Sequence, residues 1–461
     1  MKRFVWRCLA ASSVIVGVLA STLGANGETR PQYGGTLRVA MRAAPASLDP
    51  ADNSQPDSFA RRSLMLLMFE TMVALDDNGR TQPGLAASWQ ASADNQRWQF
   101  RLRRGVRFHD GTLLTPEVAA ASLRTANPSW KVTADTDSVV IEREGRDTQL
   151  LAELALSRNA IARRTSDSRP IGTGPFHMAD WQPGKKLTLA AEEGYWRGRP
   201  YLDGIEIEMG KSYRDQMTAL ELGKTDMVEV AADQAHRASL EGRRLANSRP
   251  MELLALVFAH DAKTPEENSL REALALSVER GSIGSVLLQG AGQPAAAILP
   301  NWMSGYGFAF SAEADLSRAR HLREQVRTIP LWTLGYDGSD AVARLIAERI
   351  ALNARDAGLT LQPTATATAD VALARISLLS SDPRVALADV ATRAGFNAGT
   401  KEDGSVQELY SSERAALATQ RIIPLFHLPL SYAASSTLKN WSVRSDGSLI
   451  LVDASLGNLK P

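Results

Sequence analysis

The chain has 461 residues, of which 44% are hydrophobic and 22% charged, with a formal charge of +1 and one cysteine. Such a length allows two or more domains, each with a full core. The even charge balance argues against nucleic acid or an anionic membrane as partner, and one cysteine excludes a disulfide framework.

Residues 1–27 read as a secretory signal peptide. Lys2, Arg3 and Arg7 form a positive start, residues 8–23 are mostly apolar or small, and Ala25-Asn26-Gly27 offers small residues for cleavage. Ser12, Ser13, Ser21 and Thr22 make the segment a weak membrane anchor. Cleavage would remove Cys8 and leave 49 basic against 51 acidic residues. No later stretch approaches about 18 consecutive apolar residues, so a soluble mature protein is expected.

After a Gly34-Gly35 loop, Thr36 to Ala40 predicts a short strand, and the apolar spacing of Leu64, Leu67 and Met68 predicts a helix over residues 59–71. The stretch RWQFRLRRGVRFHDGTLLTPEV, residues 97–118, then alternates like a half-buried strand through Trp98, Phe100 and Leu102. Gly105 breaks it, Val106 and Phe108 resume it, and Asp110-Gly111 predicts a turn. Thr115-Pro116-Glu117 reads as the N-cap, first-position proline and first-turn acid of a helix to about residue 125. Strands are predicted at 139–141, 187–189, 205–207 and 252–258, and helices at 148–156 and 215–222, the latter closed by Gly223. Beyond His260, Asn268 is expected to cap a helix that stops at Gly281. A strand at 329–334, an amphipathic helix at 340–356 and a strand at 359–361 complete an α/β pattern.

The histidines, His109, His177, His236, His260, His321 and His427, show no metal-ligand spacing, and neither HExxH nor GxSxG occurs. Gly223-Lys224-Thr225 has Thr218 where a phosphate loop needs its first glycine. Gly172-Thr173-Gly174 has His177 where the dinucleotide fingerprint needs its third, and Pro175 removes an amide that could hold phosphate. No catalytic constellation, metal site or cofactor site is expected, so binding is a simpler reading than catalysis.

Several blocks resemble the extracellular solute-binding proteins of family 5. They are Gly34-Gly35-Thr36-Leu37 with Ser47-Leu48-Asp49-Pro50, Phe69-Glu70-Thr71-Met72-Val73, and Pro83-Gly84-Leu85-Ala86-Ala87-Ser88-Trp89. The arginine-rich stretch that ends in Phe108-His109-Asp110-Gly111 follows, then Gly172-Thr173-Gly174-Pro175-Phe176, Tyr195-Trp196-Arg197-Gly198 and Pro200-Tyr201-Leu202-Asp203. Arg271-Glu272-Ala273-Leu274-Ala275-Leu276-Ser277 is similar to the helix that opens the family's second lobe. The resemblance implies an α/β, two-lobed periplasmic binding protein of class II with an extra subdomain inserted in lobe I. It implies lobe I at 28–65, 169–258 and 425–461, the insertion at 66–168 and lobe II at 259–424. It also implies a monomeric, periplasmic, non-enzymatic receptor that carries a peptide or other small solute to the permease of an ABC importer.

Two departures bear on the ligand. The run between Leu123 and Val139 is short for the family. Peptide-binding members commonly carry an aspartate for the peptide ammonium three residues before an Asp-Pro, and before Asp382-Pro383 that position is Leu379. A leucine cannot neutralise a buried ammonium, whose lost partner costs roughly 3–5 kcal/mol. Where the family often has an asparagine after the strand ending at Phe258, this chain has Ala259-His260. A sugar, opine or metal chelate therefore stands beside peptide as ligand, with a divergent receptor, an exported hydrolase or a chaperone-like or sensory protein as further alternatives. His260, Trp302, Tyr306, Asp382 and Tyr432 are the expected cleft contacts.

Overall fold

The computed structural model describes residues 31–457 except 53, 55–57, 77, 145–148, 166–168, 367, 399–404 and 445–446. The expected export signal lies outside the described residues. Strand β1 (Thr36–Ala40) is followed by helix α1 (Phe59–Met68), which Ser58 caps and which stops three residues short of the predicted end. Strands β2 (Ala86–Ala91), β3 (Arg97–Leu102), β4 (Lys131–Ala134) and β5 (Ser138–Glu142) form a separate sheet in the order β2-β3-β5-β4, covered by α2 (Pro116–Ala126).

The arginine-rich stretch is thus scaffold. Its Trp98, Phe100 and Leu102 face the core of this inserted subdomain with Val106, Phe108, Ala119, Leu123 and Ile141. Burying each large side chain is worth roughly 1.5–3 kcal/mol. Only Arg97–Leu102 is ladder strand. Beyond Gly105, with φ of +80°, Val106 and Phe108 remain buried, but the backbone keeps one isolated bridge, Arg107 to Leu113.

The large sheet continues with β6 (Phe176–Gln182), β7 (Lys186–Ala191), β8 (Gly204–Glu208), helix α3 (Tyr213–Glu221), β9 (Met227–Val230) and helix α4 (Ala232–Leu240). Strand β10 (Arg244–Phe258) starts eight residues before the predicted strand, because Arg244 to Asn247 also pair across the sheet. Next come α5 (Pro265–Ser277), β11 (Gln293–Pro294), β12 (Leu331–Gly335), α6 (Ala341–Asp356), β13 (Thr360–Thr364) and β14 (Val371–Ser377). Helices α7 (Pro383–Ala394) and α8 (Val406–Ala418) precede the long β15 (Ile422–Ala434).

The sheet order is β6-β7-β8-β1-β9-β15-β10-β14-β12-β13, with β11 on β15. Strands β8, β1 and β9 are mutually parallel at one end, as are β14, β12 and β13 at the other. The antiparallel pair β10 and β15 joins the two ends, which makes the fold a two-lobed α/β periplasmic binding protein with a subdomain inserted in lobe I.

Asn268 does not cap α5. Thr264 does, accepting from the Glu267 amide, because Pro265 is favoured at the first helical position and needs the cap directly before it. The helix ends at Ser277 rather than at Gly281, which lies in a separate turn, Arg280–Ser282.

Alternate residues of β10 serve opposite faces of the sheet. Leu254, Leu256 and Phe258 join α5 and α6 in one lobe II core, while Met251, Leu253 and Ala255 join α7 and α8 in another. Lobe I reaches both: Ala232 of α4 enters the first and Phe59 of α1 the second. Between the lobes Pro250 of β10 stands opposite Pro429 of β15, with register shifts on both sides of Pro250. Neither proline has an N–H for the ladder, so the backbone pairing of β10 and β15 is locally interrupted there. Among the described residues no helix is long and apolar enough to cross a membrane.

Candidate interlobe binding site

In parallel α/β sheets, ligand groups collect where strands end at their carboxyl termini and helices begin. Here those edges of the two lobes meet. From lobe I come Arg42, just past β1, Tyr213 and Gln216 of α3, Glu229 of β9 and Asp233 in the first turn of α4. From lobe II come Asp337, past β12, Asp340 as N-cap of α6 and Arg375 near the end of β14. Glu252 lies on β10 between them.

These side chains form one polar cluster across the boundary. Arg42 reaches from lobe I to Asp337 at 3.0 Å, and its guanidinium lies 5.4 Å from the centre of the Tyr213 ring. Arg375 joins Glu252 at 2.9 Å to Asp340 at 3.2 Å, while the other Asp340 oxygen accepts the Val342 and Ala343 amides. Glu229 accepts from the Arg42 amide at 2.5 Å and from Gln216 Nε2 at 3.3 Å. Gln216 is fully buried. Its Oε1 accepts the Glu229 amide and its Nε2 also donates to the Lys211 carbonyl, so the amide holds Glu229 in one orientation.

Burial pushes the Glu229 carboxyl above its ordinary range, against the hydrogen bonds from Arg42 and Gln216; nearby Glu252 adds to the rise. Burial also raises Asp233, helped by Asp340 and opposed by Arg375. For Arg375 burial works the other way, but Glu252, Tyr213 and Asp340 hold the guanidinium firmly protonated.

On the α1 side of the sheet the boundary is drier. Leu75, Ala152 and Leu156 of the subdomain meet Val385 of α7. Leu379 is buried among Phe59, Leu378 and Leu387, and its carbonyl accepts a short hydrogen bond from Nη1 of the buried Arg62. Position 379 therefore offers the boundary a backbone carbonyl that already holds a lobe I cation.

The five residues expected to line the cleft do not come together. His260 is exposed, with Nδ1 2.9 Å from the Asp261 carbonyl, and its own carbonyl accepts from the buried Arg271. Trp302, in the short helix Asn301–Ser304 rather than a loop, donates Nε1 to the carbonyl of Pro250, where the β10–β15 register shifts. Tyr306 is core: its hydroxyl donates at 2.7 Å to Glu413, which also accepts the Ile298 and Leu299 amides. Asp382 caps α7 through the Arg384 and Val385 amides. Tyr432 is buried in the lobe I core and stands opposite Glu229 in the β9–β15 ladder, which puts it beside the polar cluster.

Tyr306→Phe keeps the ring and strips one donor from the fully buried Glu413. We expect it to lower the unfolding free energy by about 1–3 kcal/mol in urea titrations; an unchanged midpoint would mean that Glu413 finds another donor.

The fold and this two-sided polar boundary define the class of two-lobed solute-binding proteins. Within it, the model described as bacterial extracellular solute-binding proteins, family 5 Middle, matches residues 80–396, and the chain belongs to that family. Heme-binding protein A of Haemophilus influenzae is 24% identical over 351 residues, which is 65% of this chain and 64% of that protein. Across the first curated relatives the matched region spans between 49% and 64% of their own length. Two solved structures share the fold: Staphylococcus aureus NikA in complex with Ni(L-His)2, at TM-score 0.78, 17% identity and coverage of 91% of this chain and 99% of that one, and a dipeptide-binding protein from Pseudoalteromonas sp. SM9913 with Met-Leu, at TM-score 0.79, 15% identity and coverage of 92% and 100%.

Proposed function

We propose that the protein is the periplasmic substrate-binding component of an ABC importer, which captures a peptide or other small solute between its lobes and delivers it to the membrane permease without transforming it. The observation that carries this reading is the Arg42–Asp337 pair: it joins the carboxyl edges of two half-sheets across a proline-interrupted connection. A solute that touches both edges would favour the closed arrangement, and a permease could read that closure. The lobe boundaries inferred from the sequence, with lobe II at 259–424 and the insertion at 66–168, and export by cleavage after residue 27 belong to the same proposal.

Relatives named for haem, nickel–histidine and a dipeptide span very different ligands. Leu379 favours a solute not held by an ammonium at that position, because its side chain lies in the core and its carbonyl holds Arg62. Native mass spectrometry of protein purified from the periplasm, before and after unfolding, tests the proposal. A bound small solute that disappears on unfolding is the expected result. Protein that is empty and also releases a chemically altered substrate would favour the hydrolase alternative.

A further inference from the structure

We propose that lobe II carries a second ligand site, apart from the interlobe cleft, which takes an aromatic carboxylate. A cavity of about 640 Å³ opens between α5, α8 and the first residues of β15, Ile422 to Pro424. That volume lies within the roughly 300–1,000 Å³ of small-molecule sites. Pro424 precedes the boundary residue Pro429 by on the order of 17 Å of strand, which sets the cavity away from the cleft.

Arg280, in the turn after α5, lines this cavity and is only 4% exposed. Its donors go to neutral carbonyls: Nε and Nη2 to Pro424 at 3.1 and 2.9 Å, Nη1 to Ala275 at 3.2 Å and to Val278 at 3.5 Å. A guanidinium has five N–H groups, so one on Nη2 is left without an acceptor among the described residues. The other buried arginines of lobe II differ: Arg271 pairs with Glu267, and Arg375 with Glu252 and Asp340. A buried charge without a counter-ion is costly, and burial pushes the Arg280 guanidinium down to about 10. An anion in the cavity would supply the missing charge.

The rest of the lining selects what the anion carries. Tyr410, Arg414 and Leu417 recur at helical spacing on α8 and so share the face that lines the cavity. Among the described residues exposed Arg414 is in no ion pair, and the Tyr410 hydroxyl makes no hydrogen bond. The Tyr410 ring lies 5.5 Å from that of Phe310, and Leu276 and Ile423 extend the apolar wall. Of the two acids in the lining, Glu272 is held by Arg318 at 2.6 Å, and exposed Glu313 is outnumbered by Arg280 and Arg414. Two cations without counter-ions beside aromatic surface fit a carboxylate on a ring better than a bare inorganic anion.

Isothermal titration calorimetry of the purified protein with 4-phenylbutyrate, its amide and inorganic phosphate is the test. The expected result is saturable binding of 4-phenylbutyrate alone, weakened about tenfold or more by Arg280→Gln and by Arg414→Gln. Ala309→Trp, which fills the cavity from an exposed lining position without changing a charge, should weaken it as well. Melting of each ligand-free variant shows whether it folds; if Arg280→Gln does not, the two exposed positions still decide. Equal binding of the amide, tighter binding of phosphate, unchanged affinity in both Arg414→Gln and Ala309→Trp, or no saturable binding of the carboxylate would each overturn the inference. The receptor reading stands on the cleft and is untouched by any of these outcomes.

Discussion

A Gly172→Ala variant is expected to fold poorly or not at all. A Cβ at that position would lie 2.0 Å from the Met68 carbonyl oxygen and 2.7 Å from the Phe69 ring. The Met68 carbonyl cannot simply retreat, because it accepts the Gly174 amide at 3.0 Å and ends a helix whose face fills the lobe I core. The same contact seats a buried hub. Thr173, between the two glycines, donates to Glu70, as do Tyr195 and Trp196. Burial raises the Glu70 carboxyl, and those three donors oppose the rise, so displacing the turn would leave a buried acid short of partners. Ordinary overpacking costs about 1–3 kcal/mol, and a clash with immovable backbone should exceed that. Gly105→Ala is the contrast: φ is +80° but a Cβ meets nothing within 4 Å, so only backbone strain of roughly 1–2 kcal/mol is expected. Urea unfolding of both variants checks the order. Equal losses would show that the end of α1 yields readily.

That turn shows where local pattern was sufficient. Gly172-Thr173-Gly174-Pro175 was readable as a glycine-rich turn without a phosphate role, since Pro175 has no amide; the close approach to Met68 comes from a helix about a hundred residues away in sequence. Helix starts were legible for the same local reason. Thr115-Pro116 declares a cap by residue type, and the structure places it; Asp340, the first residue of the helix predicted over 340–356, is instead that helix's cap. Asn268 misled because Thr264, four residues earlier and followed by Pro265, is the stronger cap.

The cluster between the lobes was not legible. Arg42, Glu229, Glu252 and Arg375 sit singly at strand ends or in strands, in MVEV and VALARIS, where one charge in an apolar alternation reads as an exposed face. Their association depends on which strands are neighbours, and no local spacing encodes that. Aromatic Trp302 and Tyr306 drew attention as binding platforms, yet their polar atoms are committed to Pro250 and Glu413. The usable signal lay in the fold: helix starts and strand ends from both lobes supply the charged groups, as the parallel order of the strands requires.

Arg375→Met is expected to cost about 3–5 kcal/mol of folding stability, the usual cost of removing one member of a buried charge group. The side chains of Arg375, Glu252 and Asp340 are 18%, 16% and 7% exposed, so water cannot readily replace the guanidinium. Methionine preserves much of the volume, which isolates the charge from the packing. Asp340 would keep its two amide donors from α6, so Glu252 should bear more of the loss. A double-mutant cycle with Glu252→Gln separates the two: removing the stranded carboxylate should restore part of the stability, with a coupling of about 0.5–3 kcal/mol. The cycle also reads the site. If Arg375 anchors the lobe II wall of the cleft, Arg375→Met should weaken solute binding even after Glu252→Gln has recovered the fold, because Asp340 then loses its guanidinium partner and Asp233 the cation that offsets Asp340. Restored stability with unimpaired binding would make Arg375 a structural tie at the lobe boundary, and would move the ligand contacts toward Arg42 and Glu229. A loss below about 1 kcal/mol, the range of exposed pairs, would mean that water reaches the boundary and that the lobes part more easily than their contacts imply.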